Sequence, residues 1–335
     1  MLIHFVCSGN SFRSRLAEAY AKSLHIPGLQ FISSGTHSYM DPYNHLSPQC
    51  KLVLNHKKLT TYASKEKTQL TQELIDKSDL VVCINRAVYH EALAENIKFP
   101  PRTYIWDIND ISEFTQEEQL QIANQQVPLR VQKIFEHIQQ HIEELIVFLK
   151  RPRPTEQVEI LNKSGRPTGK SSDITTIHEN GWWHTGVHIG LYTSNGEVLL
   201  ERRSKNIIGN PGMWDISMGG IVKKGELPDS AILRELKEEL GINLHSSDLK
   251  KIFVWCYDHY LPSYGFHNRN FTHTYIAKIP SNIRLLLQRD EVASAEFMSI
   301  KNVQHLNIRN HMAIHRVIPT FAYYNRILDA IRAEL

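Results

Sequence analysis

Residues Gly220–Ile242 read GIVKKGELPDSAILRELKEELGI: a glycine turn, a polar loop, and a helix ended by a second glycine. Ile232, Leu233, Leu236 and Leu240 recur at helical spacing, so one face of this helix is predicted to enter a core. Glu235, Glu238 and Glu239 fall at i, i+3 and i+4, which puts three carboxylates on one face. Like charges so placed repel, and a helix that only needed solubility would interleave lysines there. Oxygen ligands at that density suit Mg²⁺ or Mn²⁺, cations that bridge and neutralise phosphate oxygens. Gly241 stands where a helix C-terminus favours a left-handed residue. A merely solvated acidic helix leaves Gly219-Gly220 and the Glu226 to Arg234 spacing unexplained.

The segment resembles the Nudix box and matches it at every signature position. The resemblance implies hydrolysis of a nucleoside diphosphate linked to a second group, or of another diphosphate. It also implies that Glu235, Glu238 and Glu239 bind the metal and that Glu238 serves in catalysis. Glu226 would pair with Arg234 to brace the loop, with Gly220 and Gly241 as structural positions.

A length of 335 residues favours two domains, each with its own core. A net charge of +3 with no long run of Lys or Arg marks no surface for a nucleic-acid polymer. The opening MLIHFVCSGN lacks a basic leader and a small-residue cleavage site, so it is expected to be a first strand and not a signal peptide. No apolar stretch approaches the roughly 20 residues of a membrane span, so no membrane partner is expected. Cys7, Cys50, Cys83 and Cys256 are scattered without CxxC pairs, which points to neither zinc nor a disulfide framework. The expected compartment is the cytoplasm.

Leu2–Cys7 reads as a buried strand and Ser14–Leu24 as a helix with Leu16, Ala17, Tyr20 and Ala21 inward. Between them Cys7-Ser-Gly9-Asn10-Ser11-Phe12-Arg13-Ser14 sets a cysteine and an arginine five residues apart. A strand, a tight loop and a helix start gather backbone N–H groups and the positive end of a helix dipole around one point. Donors of that kind stabilise a thiolate. Gly9 and Asn10 are expected to take the unusual backbone angles of the loop, and Arg13 offers a planar fork for two phosphate oxygens. Further strands are expected near 31–36, 78–84 and 103–107, alternating with helices near 48–55, 71–77, 87–94 and 129–150. That alternation predicts a doubly wound parallel sheet.

Residues 1–150 resemble the low-molecular-weight protein tyrosine phosphatases, through Val6-Cys7-x-Gly9-Asn10-x-x-Arg13-Ser14, Ser34-Gly35-Thr36 and a late aspartate. The resemblance implies that Cys7 attacks phosphorus, that residues 9–13 (Gly9, Asn10, Ser11, Phe12, Arg13) cradle the phosphate, and that Ser14 hydrogen-bonds the thiolate. Asp110 would protonate the leaving oxygen and later activate water, being preferred to Asp107 because Trp-Asp-Ile-Asn-Asp110 lines up with the family's Pro-Asp-Pro turn. Asp41-Pro42-Tyr43 looks more like that turn but comes too early, and is expected to be a substrate rim with Tyr39 and Tyr43 as aromatic walls. Departures from the family are Phe12 in place of a second cysteine, Arg15 in place of a proline, and Ile111 after Asp110. Related arsenate reductases need two further cysteines close together, and only Cys83 stands nearby.

Arg151-Pro-Arg-Pro154 denies further helix, so 151–156 is expected to be a linker between domains at 1–150 and 157–335. The second half, with a strand at 158–161 and a turn over 162–169, is similar to a Nudix subgroup near the isopentenyl diphosphate isomerases. Those isomerases carry a degraded box and a metal-site cysteine. Here the box is intact and that cysteine absent, which favours hydrolysis. His184 and His188 are expected on one side of a strand as packed histidines, and Arg202 and Arg203 are expected either to reach a diphosphate or to be solvated at the strand end. Strands at 251–257 and 270–278 are expected to flank an aromatic loop at 260–268, and residues 305–335 to be helical with Ile314, Val317, Ile318 and Phe321 at core spacing. The Nudix resemblance also makes Glu291, just before a strand ending at Phe297 and Met298, the candidate for an additional catalytic or metal-binding glutamate.

The fold class expected is α/β, a doubly wound parallel sheet followed by an α+β Nudix fold. The function expected is that of a bifunctional hydrolase, with Mg²⁺ or Mn²⁺ as cofactor and a phosphorylated small molecule or phosphopeptide as substrate. The alternative is a tyrosine phosphatase whose Nudix half is a nucleotide-binding regulator.

Overall fold

The computed structural model describes residues 1–100, 102–111, 113–150, 153–205, 207, 210–261, 265–308 and 321–335. It divides into two units, one of residues 1–152 with 261–266 and one of residues 153–260 with 267–335. No helix among the described residues is long and apolar enough to cross a membrane.

The first unit runs β1 (Leu2–Cys7), α1 (Arg13–Ser23), β2 (Gln30–Gly35), α2 (Pro48–His56), α3 (Gln72–Asp76), β3 (Leu80–Cys83), α4 (Arg86–Ala94), β4 (Thr103–Ile105), α5 (Gln116–Ala123) and α6 (Leu129–Lys150). The near-continuous apolar runs LIHFVC and LVVC fit strands covered on both faces, and β1 to β4 pair in parallel in the order β2-β1-β3-β4. The order reverses between β1 and β3, and the crevice beyond the carboxyl ends of strands at such a point is where open α/β sheets bind ligands. In α6, Val131, Phe135, Ile138, Ile142, Leu145 and Ile146 form the buried stripe that the sequence period calls for. The sequence reading left α5 out, although Thr115 and Glu118 form a capping box at its start.

The second unit contains β5 (Val158–Leu161), β6 (Pro167–Ser172), α7 (Ile174–Asn180), β7 (Trp183–Tyr192), β8 (Glu197–Arg203), β9 (Trp214–Ile216), β10 (Met218–Ile221), α8 (Pro228–Glu235), β11 (Lys250–Leu261), β12 (Phe266–Lys278), β13 (Val292–Ser299), α9 (Ile300–Ile308) and α10 (Phe321–Arg332). One mixed sheet carries the nine strands: β12 runs parallel to β7, while β10 and β8 run antiparallel to it. Val187, Ile189 and Leu191 of β7 pack with Ile232, Leu236 and Leu240 under the box helix. On the other face α10 closes in at Gly190, where a Cβ would lie 2.7 Å from Ile327 Cγ2, so only glycine fits. The sheet is thus held between two helical layers.

Two expectations change. The box helix is not continuous α: after Glu235 it widens to a π turn over Leu236–Leu240, closed by Gly241 at φ 69° donating to the Leu236 carbonyl. The aromatic loop at 260–268 is largely strand, since β11 extends to Leu261 and β12 starts at Phe266. Ile314, Val317 and Ile318 lie outside the described residues, and α10 begins at Phe321.

Candidate active sites

The Cys7 loop leaves the carboxyl end of β1 at the reversal of strand order. Cys7 Sγ lies 3.0 Å from Ser14 Oγ and accepts from the Asn10 backbone N–H at 3.2 Å. Asn10 takes the left-handed conformation, φ 52°, and its side chain ties the loop down, donating to Ser14 Oγ and Ser33 Oγ and accepting from Thr68 N. Behind it Ser33 Oγ donates to Glu18 Oε2 at 2.6 Å, and Arg15 stands beside the same carboxylate. Arg15 and Glu18 are both almost wholly buried, so the arginine found where the resemblance calls for proline is a counter-ion inside this network.

Arg13, buried at the start of α1, donates from Nη1 to the Ile108 carbonyl and from Nη2 to Asp110 Oδ2 at 2.5 Å. Asp110 is half exposed, whereas Asp107 points to solvent without joining this pair. Gly9 does not take a positive φ; it is needed for close approach, because a Cβ there would fall 2.0 Å from Asp41 Oδ2. Asp41 accepts from Ser11 Oγ at 2.7 Å, and Lys67 reaches its carboxylate and its carbonyl. The rim segment is thereby pinned onto the loop, with Tyr39 and Tyr43 exposed and Phe12 turned into the core.

In the second unit Arg234 grips Glu226 with two hydrogen bonds, Nε to Oε1 at 2.9 Å and Nη2 to Oε2 at 3.0 Å. It also donates to the Ile221 carbonyl, while Glu226 accepts from Lys223 N, which closes the polar loop on itself. Burial opposes the Glu226 charge, but the Arg234 hydrogen bonds outweigh it and hold this carboxyl below the usual range. Gly220 leaves room for Glu235, whose Cγ would stand 2.3 Å from an added Cβ, and Glu235 Oε1 accepts from Ile221 N.

The three glutamates of the box part company. Glu238 is half exposed and pairs with Arg234 at 3.0 Å; Glu235 is mostly buried, and Glu239 is buried. Burial first, then the charges of Glu201, Glu291 and Glu235, push the Glu239 carboxyl well up. Glu201 on β8 is only 2% exposed, is raised by burial and by Asp215, and its Oε2 accepts no hydrogen bond among the described residues. Among those residues no three His, Cys, Asp or Glu side chains converge closely enough to hold one cation. Even so, an all-oxygen donor set with an orphaned buried carboxylate oxygen is chemically suited to a hard divalent ion.

His184 and His188 both lie buried on β7. His188 Nε2 stands 3.3 Å from Asp215 Oδ1, and its Nδ1 lies 2.8 Å from the Tyr323 hydroxyl. Tyr324 also hydrogen-bonds Asp215, making a buried polar chain behind the acids. Arg202 donates to the Gly212 carbonyl, and Arg203 lies 3.8 Å from Glu201. The sequence reading missed Glu201 and Asp215; the signal available was a pair of acids interrupting two apolar strands.

The NUDIX domain family matches residues 182–321, and the low molecular weight phosphotyrosine protein phosphatase family matches residues 2–158. Uncharacterized Nudix hydrolase lmo0368 of Listeria monocytogenes is 30% identical over 151 residues, covering 45% of this chain and 84% of that protein. Nudix hydrolase 3 of Arabidopsis thaliana is 29% identical over 181 residues, 53% of this chain, and this chain spans 23% of its length. An isopentenyl-diphosphate Delta-isomerase of Streptomyces avermitilis is 23% identical over 175 residues, 52% of this chain and 83% of the isomerase.

Proposed function

From a chain that belongs to the Nudix hydrolases in its C-terminal half and to the low molecular weight phosphotyrosine phosphatases in its N-terminal half, we propose a two-step hydrolase. The Nudix domain, within 157–335, cleaves a substituted diphosphate of nucleoside or prenyl type. The phosphatase domain, 1–150, then removes the phosphate from the monoester left behind, with 151–156 as linker. The observation that carries the reading is the Cys7 loop, where a thiol, the Asn10 backbone N–H, the Ser14 hydroxyl and a buried guanidinium gather at the switch point of the sheet. One site's product is the other's substrate class, and sharing a chain raises the effective concentration of the second site.

In the phosphatase step the Cys7 thiolate attacks phosphorus and forms an S–P bond as the P–O bond to the leaving group breaks. Asp110 gives its proton to the leaving oxygen. Water then attacks phosphorus, the S–P bond breaks, and the proton returns to Asp110. Arg13 holds two equatorial oxygens and must let go of Asp110 to do so, while Ser14 stabilises the departing thiolate. In the Nudix step Glu235, Glu238 and Glu239 would hold Mg²⁺ or Mn²⁺, which supplies charge neutralisation on the diphosphate and an activated water. Glu226 and Arg234 keep the loop that carries these acids in place, and Glu291 is a further candidate for proton transfer. The intact box favours hydrolysis over isomerisation. Four thiols without disulfides suit a reducing compartment, and we place the chain in the cytoplasm.

The test is product analysis by mass spectrometry after incubating the full chain and its Cys7→Ser variant with Mg²⁺ and a panel of nucleotide sugars, dinucleotides and prenyl diphosphates. Passage to the dephosphorylated product by the parent, with Cys7→Ser stopping at the monophosphate, supports sequential action. If both stop at the same monophosphate, the relay fails for that substrate, and phosphopeptides become the next offer to Cys7.

A further inference from the structure

Glu201 lies outside the box, in the middle of β8. It is 2% exposed, with Oε1 3.8 Å from Arg203 Nη1 and Oε2 accepting no hydrogen bond among the described residues. A carboxylate so buried and so poorly answered is costly, and a leucine of similar size would pack there more cheaply. A partnership with Arg203 accounts for one oxygen at long range and leaves the other unanswered among the described residues.

Around Glu201 the backbone gathers further acids. Glu201 is in register with Asp215 on β9 and with Ala295 on β13. Three residues on, Ser204 N donates to the Glu291 carbonyl at 2.7 Å. Gln288 in turn spans the remaining gap, its side chain donating to Glu291 Oε1 and its N–H to the Glu239 carbonyl at 2.9 Å. The backbone therefore ties the end of β8, the start of β13 and the π turn of the box helix into one corner. Glu201, Glu239 and Glu291 feel each other's charge across it.

Resting on the diphosphate-hydrolase reading above, we propose that Glu201 is a metal ligand from outside the box, joining Glu239 at the divalent cation that the box acids would hold, with the remaining positions left to water and substrate. Mg²⁺ takes oxygen ligands and keeps some of its sites for water and phosphate oxygens. Such a shared ion gives the widening at Leu236–Leu240 a purpose, since the π turn delivers Glu239 to the sheet while Glu238 stays half exposed with Arg234.

The experiment is Mn²⁺ binding to the full chain, followed by electron paramagnetic resonance of free Mn²⁺, for the parent, Glu201→Gln, Glu239→Gln and the exposed control Glu296→Gln. Melting temperatures are taken in parallel with EDTA and with Mg²⁺. Glu201→Gln is expected to bind Mn²⁺ about tenfold or more weaker, in company with Glu239→Gln, with the control unchanged. In EDTA it should melt no lower than the parent, because it replaces a buried, poorly answered carboxyl, and the rise that Mg²⁺ gives the parent should be lost. Glu201→Asp, which keeps the charge but withdraws it by one methylene, should weaken Mn²⁺ as well and covers the case in which Glu201→Gln fails to fold. Loss of Mn²⁺ in Glu239→Gln alone overturns the role of Glu201 and leaves the hydrolase reading standing. A lower melt in EDTA with an undiminished Mg²⁺ rise makes Glu201 structural and overturns it too. Absence of Mn²⁺ binding by the parent overturns both.

Discussion

Arg13 Nη2 and Asp110 Oδ2 stand 2.5 Å apart, so the guanidinium that would grip phosphate is already held by the carboxylate that would protonate the leaving group. A phosphate entering the Cys7 loop must compete with Asp110 for Arg13. Asp110→Asn is therefore expected to act in two directions. Inorganic phosphate should inhibit it more strongly, since the ion pair no longer opposes the anion. Turnover of an alkyl phosphate should fall roughly a hundred- to ten-thousandfold, and turnover of an aryl phosphate with a better leaving group much less. Steady-state kinetics with both esters and phosphate as inhibitor decides it; unchanged alkyl turnover would move the general acid to Asp107.

Gly9 and Asp41 supply a second test. A methyl at Gly9 lands 2.0 Å from Asp41 Oδ2, and that carboxylate cannot simply swing away, being held by Ser11 and Lys67. Gly9→Ala should cost about 1–3 kcal/mol, as overpacking does. In Asp41→Ala only the Cβ stays close, at 3.0 Å, so the obstruction is eased and the double variant should be less destabilised than the sum of the two. A denaturant series on the four proteins measures the coupling, and strict additivity would mean that the rim does not rest on the loop.

Both motifs were legible because each is local: a strand, a loop and a helix start in one, a loop and a helix in the other, with the chemistry carried on consecutive residues. What escaped is held together by distant pairing. Glu201 looks like one more polar residue in VLLERR until β9 and β13 bury it. Asp215 gains meaning only from His188 and Tyr324, the latter 109 residues away. The π turn escaped too, because a helical period of 3.6 fits both LRELKEEL as α-helix and the wider turn the chain adopts. Gly9 shows the reverse error: a conformational reason was assigned where the structure gives a steric one.

The Glu226–Arg234 pair predicts how strictly the box loop depends on fork geometry. Arg234 spends Nε and Nη2 on the two oxygens of Glu226, and Nη2 also on the Ile221 carbonyl. Arg234→Lys keeps the charge and loses the two-pronged contact, so it should cost nearly as much as Arg234→Gln. The expected loss is about 1–3 kcal/mol, the range for removing one partner of a part-buried charged hydrogen bond. Thermal melts would show it, and a lysine variant as stable as the parent would reduce the pair to a simple charge contact.

Buried imidazoles set the response to acid. Burial lowers His4 to about 4, His178 to about 4 and His184 to about 3, against an ordinary value near 6.5. A lowered folded value means that the unfolded chain takes up these protons first as pH falls. The stability tied to the neutral rings is whole above about 6.5, declines as pH drops below it, and is fully lost by about 4 for His4. In the first unit His4 sits between Ser34 Oγ at 2.7 Å and Ser78 Oγ at 3.3 Å, contacts that a glutamine partly retains without titrating. His4→Gln should therefore be less stable than the parent at pH 7.5 yet lose less on going to pH 5. Urea midpoints at the two pH values test this; equal losses in parent and variant would show that the acid sensitivity arises elsewhere.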